Sequence, residues 1–425
     1  MEILNFVIDD IFGVAPIFMA LIALLGLILL KKSFSDILTG MFKTALGVVI
    51  LMAGVSILVD AMLPLAIAVG AFQEATPFPA EMIGSDAFMT DYGTQVGIAM
   101  LAGFGINLLV ARFTRWKSVF LTGHMLYWFP FVFTAVAVSA GFTGWTAGII
   151  GGLTSAIYYV VAPNLVRPYI KDVIGDDSFT LGHPSVSFVL IGGFLAKRFG
   201  NKEKSTEDIQ FPTGLRFLKE VAIIGSLAIM LGYVVLLILI AITGSDVVID
   251  TGGQTMFRFV FMSGLGFGAG LTILMLGVRM FIAEITTAFT GIQEKLIPKA
   301  VPALDCPLLF PYAPNAVIIG FIVSSIASVI LIFITAGLGI FRYAVIPIVI
   351  ACFFECGTAA VVGNARGGRR GAIIAAVAGG VVMVFLMGFS LPFVDRTIAD
   401  WLINFGGQDF SLWAIIQGLI LNLFN

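Results

Sequence analysis

Two histidines, each preceded by glycine, are the side chains best suited to chemistry in the apolar sequence of this 425-residue chain. His124 lies in LTGHMLYW, and His183 lies in LGHPS, before an apolar stretch (186–196) too short to span a bilayer. We expect that stretch to be a re-entrant arm that is buried in protein or lines a cavity. An imidazole in a membrane typically marks a pathway or a ligand site, and its neutral form exchanges hydrogen bonds with hydroxyl groups. The alternative is a histidine that hydrogen-bonds a backbone carbonyl and serves only packing.

Four acidic residues lie in or beside apolar segments: Asp60, Glu284, Asp305 and Glu355. Asp305 lies in PALDCPLLFPYAP, and because proline cannot continue a helix, we expect 298–315 to be a hairpin or an unwound stretch. A carboxylate there accepts hydrogen bonds from several hydroxyl groups. Glu355 lies within FFECGTAAVVGN and requires a partner or water. For Asp60 and Glu284, the alternative is a carboxylate at a helix end in the membrane interface.

The composition defines the class of protein around these groups. Only 11% of the residues are charged, against about 25% in soluble proteins. Hydrophobic residues make up 59% and the mean hydropathy is +1.08, so the chain is predicted to be an all-α polytopic membrane protein. The net charge of −2 without a dense basic patch argues against nucleic-acid binding. No P-loop, HExxH or CxxC motif is present, and no metal or other cofactor is expected.

About eleven segments are apolar enough to cross a bilayer: 13–30, 44–72, 94–111, 119–140, 143–163, 220–243, 255–283, 316–338, 344–363, 371–393 and 408–424. Two of them, 44–72 and 255–283, exceed one straight crossing, which predicts a tilt or a break. With the N-terminus outside, 20 of the 23 lysines and arginines fall on the inner side. This bias predicts an outer N-terminus and a cytoplasmic C-terminus.

The two halves of the chain resemble each other. LMAGVSILVDA (51–61) is similar to LMLGVRMFIAE (274–284), and each is followed by a tyrosine with an amide three residues later, Tyr92 with Gln95 and Tyr312 with Asn315. Because the predicted topology inverts one half, the pattern indicates an inverted repeat of five spans, which is typical of transporters. Proline-broken segments at 73–93 and 286–313 would then face each other around a solute. The predicted parts are a first repeat, a cytoplasmic linker, a second repeat and a final span: 1–163, 164–219, 220–393 and 394–425.

Three stretches carry a resemblance to a known family. YGTQVGIAMLAGFGINLLVARFTRWKSVFLTGH (92–124), LGH (181–183) and GVRMFIAEITTAFTGIQEKLIPKAVPALDCPLLFPYAPNAVIIGF (277–321) resemble the membrane-embedded IIC component of the ascorbate-type bacterial phosphotransferase system, the PTS. The resemblance implies eleven spans, a homodimer, an elevator-type core and a sugar site. By the family's motifs, that site includes His124, His183 and Asp305.

Polar character in broken or mid-span positions extends the expected substrate site: Tyr92, Gln95, Trp128, Asn315 and Glu355. The chain departs from the ascorbate members where they have glutamine at the positions of Trp128 and Pro184, and asparagine at that of Cys356. Loss of an amide that pairs with a substrate hydroxyl can change specificity. The expected substrate is therefore L-ascorbate or another small sugar, sugar acid or polyol, and Trp128 is placed to stack on a sugar ring.

The resemblance also implies a mechanism and partners. A homodimer in the bacterial inner membrane would carry the sugar inward and present it to a separate cytoplasmic IIB protein, which receives phosphate from IIA. The basic residues Lys197, Arg198, Lys202 and Lys204 are either a docking surface for IIB or an expression of the positive-inside bias. No catalytic residue is assigned in this chain, because the phosphoryl donor is IIB. The alternative is a proton- or sodium-coupled secondary transporter.

Overall fold

The computed structural model describes residues 14–70, 78–209, 212–214, 217, 220–346 and 348–424. The helices are α1 (Ala15–Leu29), α2 (Phe34–Gly70), α3 (Ser85–Phe113), α4 (Gly123–Ser139), α5 (Gly144–Ile174), α6 (Val186–Phe199), α7 (Val221–Thr243), α8 (Met256–Lys295), α9 (Pro314–Gly337), α10 (Val349–Ala351), α11 (Gly357–Ser390), α12 (Ala399–Phe405) and α13 (Asp409–Leu421). The short strands are β1 (Ser118–Phe120), β2 (Thr180–Leu181) and β3 (Val301–Leu304).

The helices confirm a polytopic membrane protein. Within the described ranges, seven helical segments are long and apolar enough to cross a membrane, and three shorter apolar helices accompany them. One of the seven, Cys352–Phe393, covers the predicted span 371–393 and the second half of the predicted span 344–363. The total of eleven crossings stays a prediction.

Helix α11 is a hairpin. Its backbone leaves helical geometry at Gly367 and Gly368, and Gly368 has a φ of 60°. A Cβ built on Gly363 would lie 2.6 Å from the carbonyl oxygen of Gly371, and one on Gly379 would lie 2.8 Å from Sγ of Cys356. These contacts have the register of two antiparallel arms joined at the glycine pair. The predicted spans 344–363 and 371–393 thus correspond to the two arms.

The two longest helices, α2 with 37 residues and α8 with 40, cross without a helix break. Four glycines at equivalent positions of the two helices form the crossing: Gly47, Gly54, Gly270 and Gly277. A Cβ on Gly277 would lie 2.3 Å from the backbone nitrogen of Leu51, so the backbones touch directly. Of the predicted tilt or break, the break is not seen in the described residues, and the tilt stays a prediction.

The predicted broken segments are only partly irregular. Residues 73–77 of the segment 73–93 lie outside the described ranges, and from Ser85 onward the chain is helix α3. In the second segment, β3 and a 3₁₀ helix (Cys306–Tyr312) replace an α-helix, as the prolines predicted for 298–315. The apolar stretch 186–196 lies in α6, a 14-residue helix that packs on the α11 hairpin.

A small buried sheet interrupts the helical architecture. The strands are parallel in the order β1-β3-β2, with Ser118 opposite Val301 and Thr180 opposite Ala303. No strand is expected from the sequence, which predicts an all-α protein. The strands are two to four residues long and come from distant parts of the chain, so no alternating pattern marks them.

Candidate functional site

The sheet positions the three family-matched residues. Because parallel strands end at the same edge, the residues that follow them lie together. His124 lies in the first turn of α4 after β1, His183 is two residues beyond β2, and Asp305 directly follows β3. Gly182 donates to the carbonyl oxygen of Leu304 at 2.8 Å. A Cβ on Gly182 would lie 2.8 Å from the carbonyl oxygen of Ala303, which explains the glycine before His183.

Asp305 lies between the two imidazoles. Its Oδ2 is 3.6 Å from Nε2 of His124, and its Oδ1 is 3.6 Å from Nε2 of His183. The backbone N–H of Cys306 donates to Oδ1 at 2.7 Å and fixes the carboxylate. On its other side, His183 Nδ1 is 3.2 Å from Oγ of Ser185 and 4.0 Å from Oε1 of Glu355. His183 therefore contacts two carboxyl groups through opposite ring nitrogens.

A cavity of about 340 Å³ opens onto this cluster. His124, Trp128, His183, Asp305 and Glu355 all line it, so the structure brings five of the predicted site residues together. Trp128 stacks on Trp401 with ring centroids 4.8 Å apart. The cavity thus combines polar groups with an aromatic wall, the arrangement common in small-molecule sites.

Glu355 reaches the cavity from an unusual turn. Cys352–Cys356 is a π-helical turn between α10 and α11, and such turns frequently occur at functional sites. The Glu355 residue is 5% exposed, and its Oε2 has no hydrogen-bond partner among the described residues. A buried carboxyl oxygen without a partner is costly, so this turn carries an unmet hydrogen bond beside the cavity.

Sequence reasoning missed the group that supports His183. The carboxylate of Asp409, at the start of α13, accepts hydrogen bonds from the backbone N–H groups of Val186 (3.1 Å) and Ser187 (3.0 Å). It also accepts a hydrogen bond from the Tyr158 hydroxyl at 2.7 Å. The hydroxyl oxygen of Tyr158 in turn lies 3.0 Å from the carbonyl oxygen of His183. The carboxylate thus caps α6 and ties the His183 turn to the last helix. An acid at the start of the apolar segment 408–424 was the available signal.

Three predicted site residues lie outside the lining of this cavity. Tyr92 is on α3 and stacks on Phe88 with ring centroids 4.9 Å apart. Gln95 packs against Gly148 of α5: a Cβ added to Gly148 would lie 3.2 Å from the Cβ of Gln95. Asn315 is the second residue of α9, and its Nδ2 lies 3.4 Å from the carbonyl oxygen of Thr206. Tyr92 and Gln95 were predicted because the helix was expected to be broken near them, but both lie within the continuous helix α3.

The cluster also has the composition of a metal site. One donor atom from each of His124, His183 and Asp305 lies within 4.8 Å of the others. Two imidazoles and a carboxylate are suitable ligands for zinc, although the same groups serve hydroxyl recognition. The expectation of a metal-free site stays a prediction.

Comparison with known proteins identifies the family. The family described as "EIIC-GAT: PTS system sugar-specific permease component" matches residues 10–409. A protein of Mycoplasma pneumoniae named "Ascorbate-specific PTS system EIIC component" is 25% identical, over 98% of this chain and 70% of that relative. Since the family match extends through nearly all the described helices, the chain belongs to the PTS sugar-specific permease family.

Proposed function

We propose that this chain is a PTS IIC component that carries L-ascorbate or a related small sugar, sugar acid or polyol across the bacterial inner membrane. The observation that supports this most strongly is the cavity itself, where two histidines, two carboxyl groups and a stacked tryptophan pair meet in a PTS permease. The name of the Mycoplasma relative supports a sugar-like substrate related to ascorbate.

The chemistry of the cavity suits a polyhydroxylated ligand. Asp305 and Glu355 accept hydrogen bonds from hydroxyl groups, while the imidazoles of His124 and His183 donate or accept according to tautomer. Trp128 offers a flat apolar surface to the C–H face of a sugar. In the proposed reaction, a phosphocysteine of IIB loses its S–P bond, an O–P bond forms on the sugar, and the hydroxyl proton leaves to a nearby base.

The proposed assembly is a homodimer with an outer N-terminus and an elevator-type core. We propose that the repeats 1–163 and 220–393 each contribute to the core and the dimerisation domain, with 164–219 as linker and 394–425 as the final segment. The crossing of α2 and α8 supports the inverted repeat. Residues 51–61 align with 274–284, and this alignment places the four crossing glycines in two equivalent pairs.

IIB is proposed to dock on the basic segment formed by the last turn of α6 and the residues that follow it. Asn201 donates its N–H to the carbonyl oxygen of Gly367 at 2.8 Å, so the segment lies against the turn of the α11 hairpin. Lys197, Arg198, Lys202 and Lys204 surround this contact in sequence. A docked IIB would therefore contact the turn of the α11 hairpin. The first arm of that hairpin directly follows the π-helical turn that holds Glu355.

Uptake of labelled L-ascorbate and of labelled sugars and polyols tests this function in cells with IIB and IIA. The proposal expects a phosphate ester inside the cell only when the phosphorelay is intact. Entry of free solute without the relay, abolished by an uncoupler, would instead establish the proton-coupled alternative. Immunodetection of the protein in the membrane is the control for both outcomes.

A further inference from the structure

We infer that His124, His183 and Asp305 form a zinc site in the wall of the cavity, and that zinc held there excludes the transported solute. The metal site depends only on the geometry of these three side chains and of the groups that orient them. Its inhibitory consequence rests on the proposed function, because it requires the same side chains to hold the solute.

The spacing of the donor atoms suits a shared metal ion. Nε2 of His124 is 3.6 Å from Oδ2 of Asp305, and Nε2 of His183 is 3.6 Å from Oδ1. One donor atom from each residue lies within 4.8 Å of the other two. Tetrahedral zinc with bonds of about 2.0–2.2 Å separates neighbouring ligand atoms by about 3.3–3.6 Å. Shifts of about 1 Å or less therefore bring all three donors onto one ion.

The same distances are too long for direct hydrogen bonds and too short for a hydroxyl bridge. An N–H···O hydrogen bond in a protein is about 2.7–3.2 Å long. A hydroxyl oxygen about 2.8 Å from each of two groups, at an angle near the tetrahedral value, would hold them about 4.5 Å apart. A metal ion with bonds of about 2.1 Å is the smaller bridge that a separation of 3.6 Å admits.

Neighbouring groups hold two of the three ligands in the orientation that zinc requires. Oγ of Ser185 lies 3.2 Å from Nδ1 of His183. With the proton on Nδ1 and donated to Ser185, the lone pair of Nε2 faces Asp305. The backbone N–H of Cys306 donates to Oδ1 of Asp305 at 2.7 Å and fixes the carboxylate. Outer contacts of this kind orient the ligands of metal sites and raise their affinity.

The cluster is open to the cavity on the side of His124. The His124 side chain is 33% exposed, against 6% for His183 and 15% for Asp305. Zinc with three protein ligands keeps a fourth position for water, and the cavity of about 340 Å³ has room for it. Metal ligation occupies the lone pairs that would otherwise accept hydrogen bonds from solute hydroxyl groups. Zinc and solute are therefore expected to exclude each other.

Metal binding by the purified full chain in nanodiscs tests the site with Zn²⁺ alone. By equilibrium dialysis we expect one zinc ion per chain, and at least tenfold weaker binding in each of His124→Gln, His183→Gln and Asp305→Asn. Mg²⁺ prefers oxygen ligands and should not compete at the same concentration. Glu284→Gln is the matched control and should bind zinc like the wild type, because Glu284 pairs with Lys43 at 3.3 Å and lies outside the cavity lining.

Ser185→Ala and Co²⁺ distinguish ligation from a structural role. Ser185→Ala keeps all three ligands, and we expect it to weaken zinc binding about tenfold through loss of the outer contact. Co²⁺ in the wild-type chain should show the intense visible absorption of four-coordinate cobalt, and each ligand variant should lose it. Size-exclusion profiles show which variants are folded. Absence of zinc binding by the wild type, wild-type affinity in any folded ligand variant, or a weak octahedral cobalt spectrum would overturn the site.

Solute binding with and without zinc tests the inhibition. At a hundred times its Kd, zinc should weaken the binding of L-ascorbate, or of whichever labelled sugar or polyol the chain binds, about a hundredfold, and a chelator should restore it. Equal solute affinity with and without zinc would overturn the inhibition.

The zinc data and the relay assay fail independently. Zinc binding by a chain that presents no solute to IIB for phosphorylation would refute the proposed function and leave the metal site intact. Phosphorylation of a solute by IIB with a chain that has no affinity for zinc would support the proposed function and overturn the metal site.

Discussion

Asp409 gives the sharpest prediction about how the site is held. Its carboxylate accepts three hydrogen bonds, from the backbone of Val186 and Ser187 and from the hydroxyl of Tyr158. Asp409→Asn keeps one acceptor oxygen but removes the charge. Hydrogen bonds to a charged group contribute about 1.5–3 kcal/mol each, and neutral ones about half as much. Over three bonds, we therefore expect a loss of about 2–4 kcal/mol for Asp409→Asn.

Asp409→Ala is expected to cost more. It leaves two buried N–H groups and the Tyr158 hydroxyl without their acceptor, at about 1–3 kcal/mol for each unsatisfied group. Because the Tyr158 oxygen also lies 3.0 Å from the His183 carbonyl, part of the loss is expected to appear in substrate binding. If moving His183 out of place costs about 1.4 kcal/mol of binding free energy, the affinity for the substrate falls tenfold.

Thermal unfolding and ligand binding of the purified chain measure the two effects separately. Asp400→Asn is the matched control, since the Asp400 carboxylate likewise accepts hydrogen bonds at a helix start, from the N–H and the hydroxyl of Ser85 in α3. This control should lower the unfolding temperature similarly and leave affinity unchanged. Wild-type unfolding and affinity in Asp409→Asn, or an equal loss of affinity in Asp400→Asn, would refute the reasoning.

Three further substitutions test the architecture. Gly277→Ala should lower the thermal unfolding temperature of the purified chain, because the new Cβ would lie 2.3 Å from the backbone of Leu51. Gly105→Ala is the control: its Cβ would meet nothing within 4 Å, so the variant should be neutral or slightly stabilising. Gly368→Ala should lower expression and unfolding temperature, since φ is 60° and the Cβ would lie 2.0 Å from a carbonyl oxygen; wild-type behaviour would contradict the hairpin turn. Trp128→Ala should weaken sugar binding about tenfold while Trp128→Phe retains most of it, and equal affinity in both would argue against stacking.

Composition and the proline pattern predicted the class of protein and the unwound stretch around Asp305. Charged residues are so scarce that only a membrane can accommodate the surface, and proline forbids a continuous α-helix. The length of α2 and α8 suggested a tilt or a break, and neither helix breaks within the described residues; their glycines allow the two backbones to touch. Local sequence gives no indication of which partner a glycine face will find.

The site was predictable where chemistry was concentrated and not where it depended on distant contacts. His124, His183, Asp305, Glu355 and Trp128 stood out as polar or aromatic residues in apolar sequence, and they share one cavity. The buried sheet that brings His124, His183 and Asp305 together pairs strands separated by more than a hundred residues, which no local pattern reveals. The capping role of Asp409 has the same origin, since its partners lie more than 220 residues away.

Phosphoryl transfer in a purified system tests the central claim most directly. Proteoliposomes with the full chain, labelled phospho-IIB and a bound alditol or L-ascorbate are followed over a single turnover, with His183→Gln as the cavity variant. The account predicts labelled sugar phosphate with the wild-type chain and at least a tenfold slower transfer with folded His183→Gln, of the size expected for loss of an acid–base or hydrogen-bonding group. Equal transfer by both chains, or no transfer to any sugar from active phospho-IIB, would contradict it.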